Sequence, residues 1–471
     1  MNLLEPQIPH ANNILNSLYL NGVAADLSET GCGKTYVAAW VASQMKIPVT
    51  VICPKGVIPA WQRVLKEFGI TANPINKGKA VKYEGKCHSF IVNYEQLVRG
   101  TRCNHLLEYD RNKYTSSSIW KNDDGITVKI PKTSLIILDE AHKCKSETSI
   151  TSSLMIKFKK EGYKVLLMSA TAATMPTEMR AFGYSVNLHN GVNYRDWLNA
   201  TVEVTHGQFG PSVDMKSLKT QDGMRKIHND LFNLQNVASR LTRDHMKAMF
   251  PDNRVFAQCF DMGSNTSKIQ GVYDQMEYEI ARLDEQSQNY RAHVFAEMIK
   301  ARRLAEVLKV PTMVEEVIEM YREGMSPVVF VNFEQTIDAL KKRLAIYGDE
   351  VGLIVGSQTG KNRQHNIDEF QADRKRIMLV NLAAGNAGIG LHDLNGKYPR
   401  ASLISPSYSA INLVQALGRI HRAEGKTPCI QKIMFAADTI EERCCERVQK
   451  KLDNLDLLNE GDLVGDVVIW N

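Results

Sequence analysis

The chain has 471 residues, 44% hydrophobic and 23% charged, with a formal net charge of +6, which reads as a soluble globular protein of about two to four domains whose charge permits a nucleic-acid partner without demanding one. Nine cysteines with no C-x-x-C pair and no His/Cys cluster at zinc spacing argue against a metal-centred or thiol catalyst and for a reducing compartment. No run of about 18 apolar residues and no basic-then-apolar leader occurs, so neither membrane insertion nor secretion is expected.

In the first 190 residues, short β-branched runs alternate with helical patterns: PVTVIC at 48–53, SFIVNY at 89–94, SLIILD at 134–139 and KVLLMS at 164–169. Continuous apolar runs of this length, each followed by a polar turn, predict buried parallel strands. The stretch 100–131 reads as a surface insertion, and its NDDG at 122–125 predicts a hairpin turn between SSSIW and ITVKI. From 191 to 320 apolar residues recur at spacings of three and four, beginning with RKIHNDLFNLQNVASRL, so packed helices are expected there. The strand pattern returns with PVVFVN at 327–332, VGLIVG at 351–356, RIMLVN at 376–381 and ASLIS at 401–405. The predicted fold is α/β, with two parallel-sheet lobes.

Ser28-Glu29-Thr30-Gly31-Cys32-Gly33-Lys34-Thr35 follows apolar GVAAD and precedes helical YVAAWVASQ, where a strand-to-helix loop belongs. Glycines let backbone N–H groups approach phosphates, Lys34 is placed for the β- and γ-phosphates of ATP, and Thr35 for Mg2+. Thr30, Gly31, Cys32 and Gly33 are the remaining candidate phosphate contacts, while Ser28 stands where the strict pattern has its first glycine. LIILDEAH at 135–142 sets two carboxylates just past a buried strand, at the edge where open α/β sheets bind ligands. Asp139 is expected to hold Mg2+ through water, and Glu140 to orient and deprotonate an attacking water. Ser169 and Thr171 follow the next strand and are candidates to bond His142 or those carboxylates and report nucleotide state, although such a string also serves as a turn or N-cap. In LVQALGRIHR, Gln415, Arg419 and Arg422 fall at helical spacing and can share one face. A guanidinium is permanently charged and grips phosphate oxygens through paired bonds, so the two arginines are candidate fingers for a γ-phosphate held by the first lobe. By itself the octet also describes an ordinary basic amphipathic helix.

In this order the strings resemble superfamily-two helicases, and more closely the Swi/Snf-type double-stranded DNA translocases. VICPKGVIPAWQRVLKEF at 51–68, IVNYEQL at 91–97 and VASRLTRDHMKAMFPDNR at 237–254 are similar to segments of that family, as are VVFVNFEQTIDAL, GSQTGKNRQHNIDEFQ, LAAGNAGIGL and QALGRIHRAEGK. SATAATMPTEMRAF and LAAGNAGIGL look most like its HARP-type annealing-helicase branch. Three departures stand out: Ser169-Ala170-Thr171 where Gly-Thr-Pro is usual, Gly418 where an acidic residue is common, and SETGCGKT in place of DEMGLGKT. The resemblance implies a first RecA-like lobe over 1–190, a helical region over 191–320, a second RecA-like lobe over 321–438, and a brace helix with a tail over 439–471. It implies that Gln7 reads adenine and that Gly388 lies at the nucleotide. Contacts to nucleic-acid phosphates would fall to Lys55, Asn93, Asn332, Ser357, Thr359 and Gly385.

The expected function is therefore an ATP- and Mg2+-using translocase that tracks duplex or branched DNA in replication, recombination or repair, as a monomer away from membranes. The compact build suits a bacterial, phage or large-virus protein, acting in the cytoplasm, nucleus or nucleoid, or in host cytoplasm. Two other readings stay open: a helicase that separates strands of DNA or RNA, and a nucleotide-gated DNA-binding scaffold with little turnover. Cys32 reads as a small loop filler, and an alkyl group there is expected to block ATP sterically.

Overall fold

The computed structural model of the chain describes residues 2–75, 89–98, 106–110, 112–115, 118–120, 124–146, 149–170, 176–207, 210–214, 217–284, 287, 289–385, 389–406, 410–439, 441–442 and 469–470. They fall into two compact units, one up to Met246 and one from Lys247 on. Thr171, Gly388 and the predicted brace helix beyond 442 lie outside the described residues.

The first unit runs α1 (Gln7–Leu20), β1 (Val23–Asp26), α2 (Lys34–Met45), β2 (Val49–Cys53), α3 (Ile58–Glu67), β3 (Ala72–Pro74), β4 (Ser89–Asn93), α4 (Tyr94–Val98), β5 (Leu107–Tyr109), β6 (Ile126–Val128), β7 (Leu135–Asp139), α5 (Ile150–Lys160) and β8 (Lys164–Met168). It ends with α6 (Arg180–Ser185), α7 (Tyr194–Thr201), β9 (Val204–Gly207), β10 (Gly210–Val213), α8 (Leu218–Asn229) and β11 (Ala238–Ser239). Its main sheet has the order β11-β1-β8-β7-β2-β4-β3, parallel throughout. Alternate residues of one strand enter opposite cores: Val165 and Leu167 of β8 face one apolar cluster, Leu166 and Met168 the other. That two-sided burial is why the strands read as unbroken apolar runs. Because every strand points the same way, the loops after β1, β2, β4, β7 and β8 emerge at one carboxyl edge.

The second unit runs β12 (Asn253–Phe260), α9 (Thr266–Ala281), α10 (Tyr290–Leu308), α11 (Val310–Arg322), β13 (Ser326–Val331), α12 (Glu334–Arg343), β14 (Val351–Ile354), α13 (Gly360–Gln371), β15 (Ile377–Asn381), α14 (Leu382–Gly385), β16 (Arg400–Ile404), α15 (Ala410–Ile420), β17 (Cys429–Ala436) and β18 (Ile469–Trp470). Its sheet order is β14-β15-β13-β16-β17-β12-β18, again parallel.

Three expectations need correction. Ser118–Trp120 forms a 3-10 turn rather than a strand, and β6 pairs antiparallel with β5 instead. Nor is the insertion only surface: Leu106, Leu107, Ile119, Ile126 and Ile130 are buried in the first unit's core. The segment RKIHNDLFNLQNVASRL is helical only in part: α8 continues through a π-helical turn at Asp230–Leu234, and the chain then leaves the helix for β11. Ala238 and Ser239 leave the helix because β1 offers an open parallel edge, where Ala25 donates to Val237 O at 2.8 Å and Leu27 to Ser239 O at 2.9 Å. The stretch 191–320 thus supplies a strand to each sheet, β11 and β12, together with the β9–β10 hairpin.

Candidate nucleotide and nucleic-acid sites

The loop between β1 and α2 is the first site. Gly33 caps α2 with φ of 82°, a left-handed backbone that favours glycine, and a Cβ there would lie 2.4 Å from Gln7 Nε2 and push the Gln7 amide aside. Gln7 is buried on the face of α1 that also carries His10, Ala11 and Ile14. Its amide donates to Cys32 O at 2.9 Å and accepts from Leu4 N–H at 3.0 Å. The residue expected to read adenine is bonded to the phosphate loop itself. Lys34 Nζ donates to Ser28 O at 2.8 Å and Glu29 O at 3.0 Å, so its ammonium lies across the loop. Thr30 Oγ1 is buried without a hydrogen-bond partner, which fits a loop built to meet further oxygen atoms.

Ser28, the departure from a glycine, is a joint between elements. Its Oγ accepts from Leu241 N–H at 2.9 Å and lies 3.1 Å from His10 Nε2, while its N–H donates to Asp26 Oδ1 at 3.0 Å. His10 Nε2 is also 3.2 Å from Asp26 Oδ1, and its Nδ1 lies 2.7 Å from Ser239 Oγ. Burial alone would raise the Asp26 carboxyl; His10, Lys34 and Ser28 more than offset this and hold it below the ordinary carboxylate value. Glu29 is fixed by Arg240 at 3.2 Å and Arg243 at 2.8 Å. Cys32 is enclosed, and burial pushes its thiol up to about 12. None of His10, Asp26, Arg240 and Arg243 was singled out as a site residue from sequence; the one signal that could have found His10 is its i, i+3 spacing from Gln7, which puts both on one helix face.

The acidic pair stands at the end of β7, with β8 between it and β1. Asp139 Oδ2 accepts from Trp61 Nε1 at 2.8 Å, and Asp139 O from the Tyr94 hydroxyl at 2.8 Å. Burial and then the Glu140 charge raise the Asp139 carboxyl to about 6, against the Trp61 bond and Lys34, which lower it. Glu140 has φ of 59°, a left-handed conformation that a non-glycine residue adopts at a cost of about 1 kcal/mol and that recurs at functional sites. His142 Nδ1 lies 3.2 Å from Glu140 Oε2 and 3.2 Å from Ser169 Oγ, while Ser169 N–H donates to Asp26 O at 3.1 Å. The Thr35 hydroxyl and Asp139 carboxylate are hard oxygen donors of the kind Mg2+ takes, with phosphates and water completing its shell. Among the described residues no group of three His, Cys, Asp or Glu could hold a metal ion by itself.

In the second unit Gln415 and Arg419 are buried on α15. The helix ends at Ile420, so Arg422 lies beyond it rather than on a continued helical face. Both arginines still converge on one carbonyl: Ile389 O accepts from Arg422 Nη2 at 2.8 Å and lies 3.5 Å from Arg419 Nη1. Leu391 N–H donates to Arg419 O at 2.8 Å, tying the segment after the NAGIG loop to the arginine helix. His392, beside Arg422, is lowered to about 4 by burial and by the Arg422 and Arg400 charges.

The candidate nucleic-acid contacts differ among themselves. Lys55 and Ser357 are exposed. Thr359 caps α13, accepting from Asn362 N–H at 3.3 Å, and Gly385 closes α14. Asn93 is buried, accepting from Gln96 N–H at 2.8 Å and donating to Gln96 Oε1 at 2.8 Å. Asn332 Nδ2 donates to Glu306 Oε2 at 2.6 Å and Pro406 O at 3.1 Å.

A phosphate loop and an acidic strand end on one parallel sheet, with an arginine-bearing helix on another, define a two-lobed nucleoside triphosphatase of the RecA-like kind. Residues 1–174 match the family described as type III restriction enzyme, res subunit, and residues 300–424 the helicase conserved C-terminal domain. The chain therefore has a superfamily-two helicase core and is a nucleic-acid-dependent ATPase. Over 97% of its length it is 29% identical to an Acanthamoeba polyphaga mimivirus protein provisionally named an ATP-dependent RNA helicase, 83% of which it spans. It is 22% identical over 96% of its length to a Caenorhabditis elegans homologue of the SWI/SNF-related matrix-associated actin-dependent regulator of chromatin subfamily A-like protein 1, and spans 62% of it. The fold is similar to that of a Saccharomyces cerevisiae Dbp5 variant bound to RNA and ADP BeF3, with a TM-score of 0.51 at 13% identity, over 98% of this chain and 96% of that one. No described helix is long and apolar enough to cross a membrane.

Proposed function

We propose that the protein is an ATP-driven translocase that tracks duplex DNA, with branched DNA of replication, recombination or repair as its working substrate. The observation that carries this reading is the hydrolytic set Lys34, Thr35, Asp139 and Glu140 at the carboxyl edge of one sheet, joined by similarity along 96% of the chain to a SWI/SNF-related protein. Lys34 neutralises the β- and γ-phosphates, Glu140 takes a proton from the attacking water, and Arg419 and Arg422 stabilise charge on the transferred phosphoryl group. Thr35, and Asp139 through water, would hold Mg2+, which would supply further neutralisation of phosphate charge.

Lys55, Ser357 and Thr359 are groups that bond phosphates and carry no base information, so binding is sequence-independent and weakens steeply with salt. The protein acts as a monomer, in the cytoplasm or wherever its host keeps nucleic acid.

A second reading, an RNA helicase, is favoured by the name of the mimivirus relative. A panel of ATPase rates with duplex DNA, single-stranded DNA, forks and RNA decides between them. Duplex or forked DNA should stimulate most. Stimulation by RNA alone moves the protein to the second reading, and rates indifferent to every nucleic acid remove the coupling on which both depend.

A further inference from the structure

We propose that Trp61 and Tyr94 are positioning residues that transmit nucleic-acid binding to the nucleotide site by holding Asp139 from two elements; this rests on reading Lys55 and Asn93 as nucleic-acid contacts. Two neutral donors converge on that one residue. The Trp61 indole N–H grips the carboxylate Oδ2 at 2.8 Å, and the Tyr94 hydroxyl grips the backbone oxygen at 2.8 Å. Neither donor belongs to β7 or to the phosphate loop. Trp61 sits on α3, which follows the short turn Lys55–Val57 that presents exposed Lys55. Tyr94 is the residue after Asn93, at the junction of β4 and α4.

Each donor is therefore joined through a few residues of regular backbone to a candidate phosphate contact. The connection is stiff. Trp61, Val64 and Leu65 of α3 are all in the close-packed core, where a shift at the helix start cannot be absorbed by loose packing. Asn93 is equally fixed, since its amide exchanges two hydrogen bonds with Gln96. A phosphate drawn to Lys55, or one that displaces Gln96 from the Asn93 amide, moves α3 or the β4–α4 junction, and through them the direction in which Asp139 presents its other carboxylate oxygen. A carboxylate with one lone pair committed to an indole N–H has one preferred orientation, and rotating it away from its partner changes what it offers to an ion at the phosphates.

The alternative is that Trp61 and Tyr94 merely fill the core, and linkage separates the two. Binding of a fluorescent non-hydrolysable ATP analogue with Mg2+ is measured on the full chain, without nucleic acid and with a saturating amount of whichever nucleic acid stimulates the wild type. The reciprocal titration closes the cycle, because coupling between two sites is mutual. Wild-type protein should show a coupling factor of about tenfold. Trp61→Phe and Tyr94→Phe should each cut it to about threefold or less, and the double variant to about one. A coupling factor left at the wild-type value in the variants overturns the proposal. Tyr94→Phe keeps the ring and the Lys143 ammonium 5.9 Å above it, so it decides the matter if Trp61→Phe does not fold. Absence of coupling in the wild type, with a nucleic acid that stimulates its turnover, overturns this proposal alone; a wild type that no nucleic acid stimulates overturns the parent reading.

Discussion

Cys32 puts a thiol inside a phosphate loop, yet the structure makes it a poor nucleophile. The thiolate is the reactive form, and burial pushes this group up to about 12 while leaving 1% of the residue exposed. Treatment with iodoacetamide near pH 8, read by peptide mass spectrometry, should leave Cys32 unmodified in the native protein and modified after denaturation. Rapid native labelling suppressed by ATP would show instead a loop that opens readily. Asp26 makes the second residue-scale prediction. Its folded value lies below 3.8, so the stability it contributes is fully present above that unfolded value and disappears as pH falls through the folded one. Asp26→Asn should lower the unfolding free energy by about 1–3 kcal/mol between pH 5 and 7, from lost charge-assisted hydrogen bonds. Urea midpoints of the two proteins should begin to draw together as pH falls past about 3.8 and converge only below the folded value. A gap that persists there would assign the loss to packing. Lys34, Asp139 and Glu140 were readable in sequence because their chemistry fixes both residue type and spacing. Asp26 was not, because its partner His10 reaches on to Ser239, 229 positions away, and contacts at that separation leave no local pattern.

Among the elements, α10 shows how a helix can organise loops it does not adjoin in sequence. Glu306 is buried and accepts hydrogen bonds from Asn332 N–H, Asn332 Nδ2, Phe333 N–H, Thr336 Oγ1 and Ser405 Oγ. It thereby joins the turn after β13 to the turn after β16, and it orients Asn332, a candidate nucleic-acid contact. Glu306→Ala would strand several buried donors, each costing about 1–3 kcal/mol if no water reaches it. A loss of about 3 kcal/mol or more in denaturant unfolding is expected, with Glu306→Gln intermediate because its carbonyl oxygen still accepts. A change within about 0.5 kcal/mol would mean that the turns hold themselves. The strands of both sheets were legible because burial on two faces writes a continuous apolar run. The β5–β6 pairing was not: three-residue strands carry little pattern, and NDDG suggested a turn between the wrong partners. β11 escaped notice for a different reason, since two residues of helical sequence were recruited by the open edge of β1.

On the scale of the whole molecule, the sequence separates its chemistry between two parallel sheets, with Lys34, Asp139 and Glu140 in the first unit and Arg419 and Arg422 in the second. That division was visible in the order of the motifs. The carbonyl of Ile389 shared by the two arginines was not, because helical spacing predicts a common face and gives no hint of a loop oxygen. The split has a consequence that tests how the protein works. If the arginines complete hydrolysis for the nucleotide held by their own chain, Arg419→Ala should lower turnover by about 1,000-fold or more while leaving ATP binding within a few fold. Lys34→Ala should weaken binding and turnover together, since it removes a group that meets the phosphates in the ground state. The two inactive proteins share every other residue, so a mixture at equal concentration contains one intact set of each kind. A monomer that uses its own arginines gains nothing from mixing, and the mixture should stay as inactive as its parts. Were the arginines supplied by a second copy, Arg419 of the Lys34→Ala chain would serve the intact phosphate loop of the Arg419→Ala chain, and turnover would reappear with a quadratic dependence on protein concentration.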